Sequence, residues 1–223
     1  RTDLSYVPKK LDVLSTSEYI EYINEATLNS TGNLHTIYNS QAKINKITEK
    51  NTDWQDIIFR TGVSQNHSLM MTGGDEKMKY ALTAGYLTQE GVIQNSQFDR
   101  GTIRFNFDRD FSSKFKFGMN ISGGITKNDA AQSASDKGEP SMSVIIAALK
   151  TRPTQTPYTD DELIDQSFTG NPYALLYLVE DINKSTSVLA NMHGIYTVLP
   201  GLSAKLRGGI QYNNSHRDFY HPK

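Results

Sequence analysis

Cysteine is absent from the 223 residues, so neither a disulfide framework nor a zinc knuckle can be built from this chain. Long apolar runs are missing too: the longest free of tyrosine, Val144–Leu149, has six residues, far below a membrane-spanning helix. Charge of one sign is also lacking, with 23 Lys and Arg against 24 Asp and Glu, so nothing marks a nucleic-acid binder. The five histidines (His35, His67, His193, His216, His221) have no metal-ligand spacing. Asp160-Asp161-Glu162 with Asp165 lacks the spaced oxygens and fixed glycine of a calcium loop. Gly73-Gly74 before Lys77 and Lys79 reads as a hairpin turn rather than a phosphate-binding loop. With no nucleophile–base arrangement either, no enzymatic activity and no cofactor are expected. Arg1–Lys10 has no apolar core and is not a signal peptide.

What the chain has instead is alternation of period two, the signature of strands with two different faces. It is clearest in Leu202–Asn213, where Leu202, Ala204, Leu206, Gly208, Ile210 and Tyr212 oppose Ser203, Lys205, Arg207, Gly209 and Gln211. Lys77–Leu87 sets Met78, Tyr80, Leu82, Ala84 and Tyr86 against Lys79, Ala81, Thr83 and Gly85. In the next stretch Ile103, Phe105 and Phe107 oppose Thr102, Arg104, Asn106 and Asp108; after it, Phe115, Phe117, Met119, Ile121 and Ile125 oppose Lys116, Gly118, Asn120 and Ser122. Gln65–Gly73 and Ser187–Leu199 complete six strands, the last indistinct because Leu189 and Ile195 share a face with Asn191, His193 and Thr197. Helices are expected after the capping box Ser15–Glu18, over Asp53–Arg60 capped by Thr52, and over Ser141–Lys150 before Pro153.

The connections sort by length. Short turns at Gly74, Ser112 and Pro200 fall on one side; residues 1–61, 88–97, 126–185 and 214 onward fall on the other. Short turns on one rim and long loops on the other are the habit of outer-membrane barrels. Leu202 to Tyr212 covers roughly 33 Å of strand; tilted by about 40°, that projects to about 25 Å, the height of a barrel's lipid-facing band. The fold class expected is all-β: an antiparallel up-and-down transmembrane β-barrel segment with long extracellular loops containing short helices. A one-residue slip would push Arg104 and Lys116 into lipid, so Leu82, Phe105, Phe117, Met119, Leu206 and Ile210 should face lipid. Thr83, Arg104, Lys116, Arg207 and Gln211 should then face the lumen.

Several stretches are more particular than generic strand sequence: Asn51-Thr52-Asp53-Trp54-Gln55-Asp56, Phe59-Arg60-Thr61-Gly62 and Gln65-Asn66-His67-Ser68-Leu69. Thr72-Gly73-Gly74, Gly85-Tyr86-Leu87 and Gln89-Glu90-Gly91 belong with them, as does the opening Pro8-Lys9-Lys10-Leu11-Asp12-Val13-Leu14. Together they resemble the SusC/RagA family of TonB-dependent outer-membrane transporters, closely to about residue 128 and more weakly over 187–213. The resemblance implies the early part of a 22-stranded-type barrel, following a plug domain and TonB box that are absent here. It divides 1–223 into a barrel start and first extracellular loop (1–61), four strands (62–125), a long extracellular loop (126–185), two strands (186–213) and the start of another loop (214–223). Six strands cannot close in lipid without unpaired edges, so the chain is expected to be a mature form or piece of something larger.

The implied function is import of oligosaccharides or peptides across the outer membrane of a Gram-negative, Bacteroidetes-like bacterium. The implied partners are a SusD-like surface lipoprotein and, through parts not in this chain, the TonB complex. Arg104, Asn106, Asp108, Lys116, Asn120 and Arg207 are the lumen-facing candidates for contact with plug or substrate. Tyr158, Phe168, Tyr173 and Tyr177 are the loop aromatics expected to meet partner or substrate, and residues 126–185 should fold with 15–60 into an outer surface. Two alternatives share parts of the pattern: a soluble β-sandwich that binds carbohydrate, recognisable by a second sheet over Phe105, Phe117 and Leu206, and a passive porin.

Overall fold

A computed structural model describes residues 1–49, 51–130, 143–159, 162–163 and 171–220, with only the backbone considered at 158–159 and 162–163. In chain order the elements are β1 (Thr2–Ser5), α1 (Thr16–Thr31), α2 (Gln41–Thr48), α3 (Trp54–Ile58), β2 (Gly62–Gly74), β3 (Met78–Glu90), β4 (Gln97–Asp110) and β5 (Phe115–Asp129). They continue with α4 (Val144–Lys150), the two-residue strands β6 (Tyr158–Thr159) and β7 (Glu162–Leu163), α5 (Pro172–Tyr177), β8 (Glu180–Leu199) and β9 (Leu202–Tyr220). Seven strands form one antiparallel sheet in the order β1-β2-β3-β4-β5-β8-β9, each beside its sequence neighbour in the sheet. The fold is all-β and up-and-down. Beyond the six alternating stretches, the sheet includes β1, paired with the start of β2 from Ser5↔Gly62 to Thr2↔Gln65.

Register gives each face its composition. One line of opposed residues runs Leu82, Phe105, Ile121, Ala190, Ile210; another runs Met78, Arg109, Phe117, Gly194, Leu206. On the other face Arg104 stands between Thr83 and Ser122, while Asn106, Asn120 and Asn191 are neighbours. The register therefore sorts all eleven residues of the two expected sets onto opposite faces. It also resolves β8: Leu189 and Ile195 do belong to the polar face, opposite Gln211 and Lys205. Among the described residues no second sheet covers the apolar face, and Leu206 and Ile210 are 80% and 72% exposed.

The closed ends are compact. Asp75 accepts from the Lys77 and Met78 N–H groups at 2.7 and 2.8 Å, and Ser112 Oγ from Lys114 and Phe115. Gly74, with φ 152°, presses against the backbone of Met78 and Lys79, where a Cβ would overlap it. Pro200-Gly201 joins β8 to β9.

At the other end the strands outrun their expected limits. The connection between β3 and β4 is only 91–96, that between β5 and β8 is 130–179, and β9 continues to Tyr220 where a loop from 214 was expected. The reason is that the ladder there is held by polar pairs on both faces, so the alternation in polarity fades while pairing persists. On the polar face the Thr126 and Ser185 hydroxyls meet at 2.6 Å, Ser215 Oγ donates to Asn183 Oδ1 at 2.9 Å and Arg217 grips Asp181 through two 2.6 Å bonds; on the other, Lys184 pairs with Asp218 at 3.2 Å.

Helix α1 begins at the expected capping box: the Ser15 N–H donates to Glu18 Oε2 at 2.8 Å, and Gly32 ends the helix at φ 73°. Helix α3 is shorter than expected and its cap is Asp53 rather than Thr52. The Asp53 carboxylate accepts from the Gln55 and Asp56 N–H groups, and Phe59 leaves the helix to bridge Ile93. Helices α2 and α5 are additional; the start expected for α4 at Ser141 lies outside the described residues.

Candidate functional site

Two regions concentrate polar and aromatic chemistry: the polar face of the sheet, and a cap at its open end.

On the polar face, the Asn120 amide donates to Asn106 Oδ1, and Lys116 pairs with Asp110 at 2.8 Å. Asp108, Gly118, His193 and Arg207 lie in line across β4, β5, β8 and β9. Gly118 is what lets them approach, since a Cβ there would overlap both the Asp108 carboxylate and the His193 ring. Asn106, Asp108, Asn120, Asn191, His193 and Arg207 border a hollow of about 400 Å³. Arg104 borders a neighbouring hollow of about 500 Å³ with Ser122 and Gln211. Four of the six expected polar-face residues thus share one hollow; Arg104 and Lys116 lie on the same face outside it. Asn191 and His193 were not among the expected site residues. Their only sequence signal was the polar run inside the indistinct strand β8.

The cap joins segments far apart in sequence. Trp54 and Ile58 of α3, Val144 and Ala148 of α4, and Leu176 of α5 form one buried cluster, flanked by Ile93 and Tyr173. Trp54 Nε1 donates to the Arg152 carbonyl at 3.0 Å, and the Thr52 N–H to that of Pro153 at 3.0 Å. Buried Gln55 clasps the Leu11 backbone in both directions, at 2.9 and 2.8 Å. Asn95 Nδ2 donates to the Leu176 carbonyl at 2.8 Å, which holds α5 on the 91–96 turn. The Tyr173 and Tyr177 rings are 4.4 Å apart, and Tyr177 is fixed by donating to Gln94 Oε1 at 2.6 Å. The Tyr158 side chain and Phe168 lie outside the described residues, as do Asp160, Asp161 and Asp165.

Local charges steady the cap. Burial pushes the Asp53 carboxyl up, yet hydrogen bonds from the Asp56 N–H, Lys10 and the Gln55 N–H hold it below its ordinary value. The hydrogen bond to Asp56, with Asp53 nearby, holds the Lys10 ammonium above its own. A hollow of about 500 Å³ opens beside Glu18, Tyr19, Asp53, Trp54 and Arg152. Burial raises the Tyr19 hydroxyl and hydrogen bonds to Ser15 lower the Glu18 carboxyl. Among the described residues no cluster of His, Asp and Glu could hold a metal ion, and no helix is long and apolar enough to cross a membrane.

No family model matches the chain. It is 30% identical over 211 residues, 94% of its length, to the TonB-dependent receptor SusC of Bacteroides thetaiotaomicron. The chain belongs to the SusC/RagA family of TonB-dependent receptors. A second relative, TonB-dependent receptor P3 of Formosa agariphila, is 35% identical over 170 residues, 74% of the chain. The chain spans 18% and 17% of the lengths of these two relatives. Its fold is similar to part of the RagAB peptide transporter, with a TM-score of 0.71 and 19% identity over 96% of this chain and 27% of that one.

Proposed function

We propose that the chain forms part of the barrel wall and outer surface of an outer-membrane nutrient importer. The apolar face meets lipid, the polar face lines the lumen, and the capped end is extracellular. The observation that carries this reading is a single-layer sheet with two chemically opposite faces, the apolar one bare. A soluble sandwich would need another layer over Leu206 and Ile210, and nothing among the described residues supplies it. The opposed face offers Asn106, Asp108, Asn120, Asn191, His193 and Arg207 to a polar cargo or plug. Oligosaccharides and peptides both suit such a surface, since each presents many hydrogen-bonding groups. Import would be energised through TonB by parts of the full protein other than this segment; a passive porin would share the wall but not that dependence.

The test uses single substitutions in the full-length receptor. Leu82→Cys, Phe105→Cys and Ile210→Cys should resist an aqueous maleimide, whereas Thr83→Cys, Arg104→Cys and Gln211→Cys should react. The reverse pattern would overturn the assignment of faces.

For the cap, the reading is that it meets a SusD-like lipoprotein. Its support is architectural: segments of three connections share one buried cluster, a ready-made folded surface rather than separate loops. Deletion of residues 154–170 should weaken co-purification of the lipoprotein while the barrel stays inserted. Undiminished co-purification would confine that stretch to a structural role.

A further inference from the structure

On the apolar face, one step beyond the apolar residues toward the capped end, a line of opposed side chains runs Thr88, Asp99, Lys127, Lys184, His216. Lys127 and Lys184 face each other directly, both exposed. Like charges opposed on neighbouring strands destabilise a sheet, and strands are only about 4.8 Å apart. Two carboxylates offset this only in part: Asp99 stands directly opposite Lys127 and attracts it without a close ion pair, and Asp218 pairs with Lys184. Asp99 accepts from Gln97 at 3.1 and 3.2 Å and from the Tyr86 hydroxyl at 3.4 Å. Asp218 is shared between Lys184 at 3.2 Å and His216 at 2.8 Å. Lys127 makes no hydrogen bond or close ion pair among the described residues.

Directly below the lysines a hollow of about 310 Å³ is floored by Gly101, Ile125 and Thr186 and flanked by Tyr86, with Asp99 at its rim beside Lys127. Ile125 is 62% exposed, and its side chain leans across the space that a Gly101 Cβ would enter. An apolar shelf meeting two ammonium groups at its upper edge is shaped for an amphiphile: chains below, an anion above.

We propose that Lys127 and Lys184 hold the phosphate of a phosphorylated glycolipid of the outer leaflet, whose acyl chains run down over Ile125 and Ile103. Charge complementarity selects this occupant. A phosphate between the two ammonium groups relieves their repulsion and accepts hydrogen bonds from both, while a neutral headgroup relieves nothing. The proposal rests on the apolar face meeting lipid with the cap outside.

The test places the full-length receptor in phosphatidylcholine nanodiscs containing lipid A, either phosphorylated or stripped of phosphate. Native mass spectrometry reads the fraction of receptor that retains the glycolipid. Wild type should retain the phosphorylated form preferentially. Lys127→Ala with Lys184→Ala should lower that retention by roughly tenfold or more, as loss of two lysines near an anionic surface implies. Lys127→Arg with Lys184→Arg should preserve it, and Lys205→Ala, the same kind of change on the other face, should leave it unaltered. Equal retention of both glycolipids by wild type, or wild-type retention by the double alanine variant, would overturn the proposal. In the same discs Leu206→Cys should resist aqueous maleimide. If it does, a negative glycolipid result counts against the lysine site alone; if it is labelled, the assignment of faces fails and this site with it.

Discussion

Asp53 concentrates much of the cap's local order in one carboxylate. It accepts from two N–H groups at the start of α3 and pairs with Lys10 at 3.3 Å, tying the segment before α1 to the helix. Asp53→Ala should cost about 1 kcal/mol, the ordinary worth of an N-cap, read as faster hydrogen exchange in α3. Because the folded-state carboxyl titrates below its ordinary value, its stabilisation is present above about pH 4. It should fade as the pH falls through the lowered value, so exchange in α3 should quicken on acidification in wild type but less in Asp53→Ala. An acid response equal in both would remove Asp53 from that role. Sequence reading missed this cap by one position, since Thr52 and Asp53 are both good N-caps and only the geometry of the first turn separates them. The Ser15–Glu18 box was legible because its reciprocal spacing admits one arrangement.

Among elements, the three short helices of the cap depend on each other more than on their own propensities. Helix α3 has five residues, α4 seven and α5 six, well below the length at which isolated helices persist in water. Trp54 joins them, burying its ring against α4 and α5 while its indole N–H reaches Arg152. Trp54→Ala should destabilise the cap by roughly 3–5 kcal/mol. Exchange should rise together in α3, α4 and α5 while β2 to β9 stay protected; a change confined to α3 would mean the helices are not coupled. This cluster was not readable from the sequence, because its members at 54–58, 144–148 and 176 meet only through tertiary packing. The strands were readable wherever one face is apolar and the other polar, as in Leu202–Tyr212. They became unreadable beyond Asn214, where Ser215, His216 and Arg217 oppose Ser185, Lys184 and Asn183, polar groups on both faces. Strand β1 was too short to alternate.

For the whole molecule, an exposed apolar face and two unpaired edge strands leave little to drive independent folding in water. All nineteen residues of β9 are exposed, and among the described residues its outer backbone edge has no neighbour in the sheet. Such edges recruit other chains, and apolar patches of this extent associate. The isolated 25.0 kDa chain should therefore aggregate or require detergent. A monodisperse detergent-free monomer with a sharp cooperative melt would contradict both this expectation and the membrane assignment.

The line of opposed residues from Met78 through Arg109, Phe117 and Gly194 to Leu206 carries one more consequence. Strand β3 begins at Met78, on that line; β5 begins at Phe115, two residues below it; β9 begins at Leu202, four below. Each hairpin thus steps down by two residues, or one residue per strand. A step of about 3.3 Å along the strand for every 4.8 Å across the sheet corresponds to an angle of about 35°. If the closed ends lie in one plane, the strands must lean by that amount from its normal, which is the inclination of strands in closed membrane barrels. The five strands from β3 to β9 in the sheet already carry the stagger that closure around a full cylinder demands, written into where each hairpin turns.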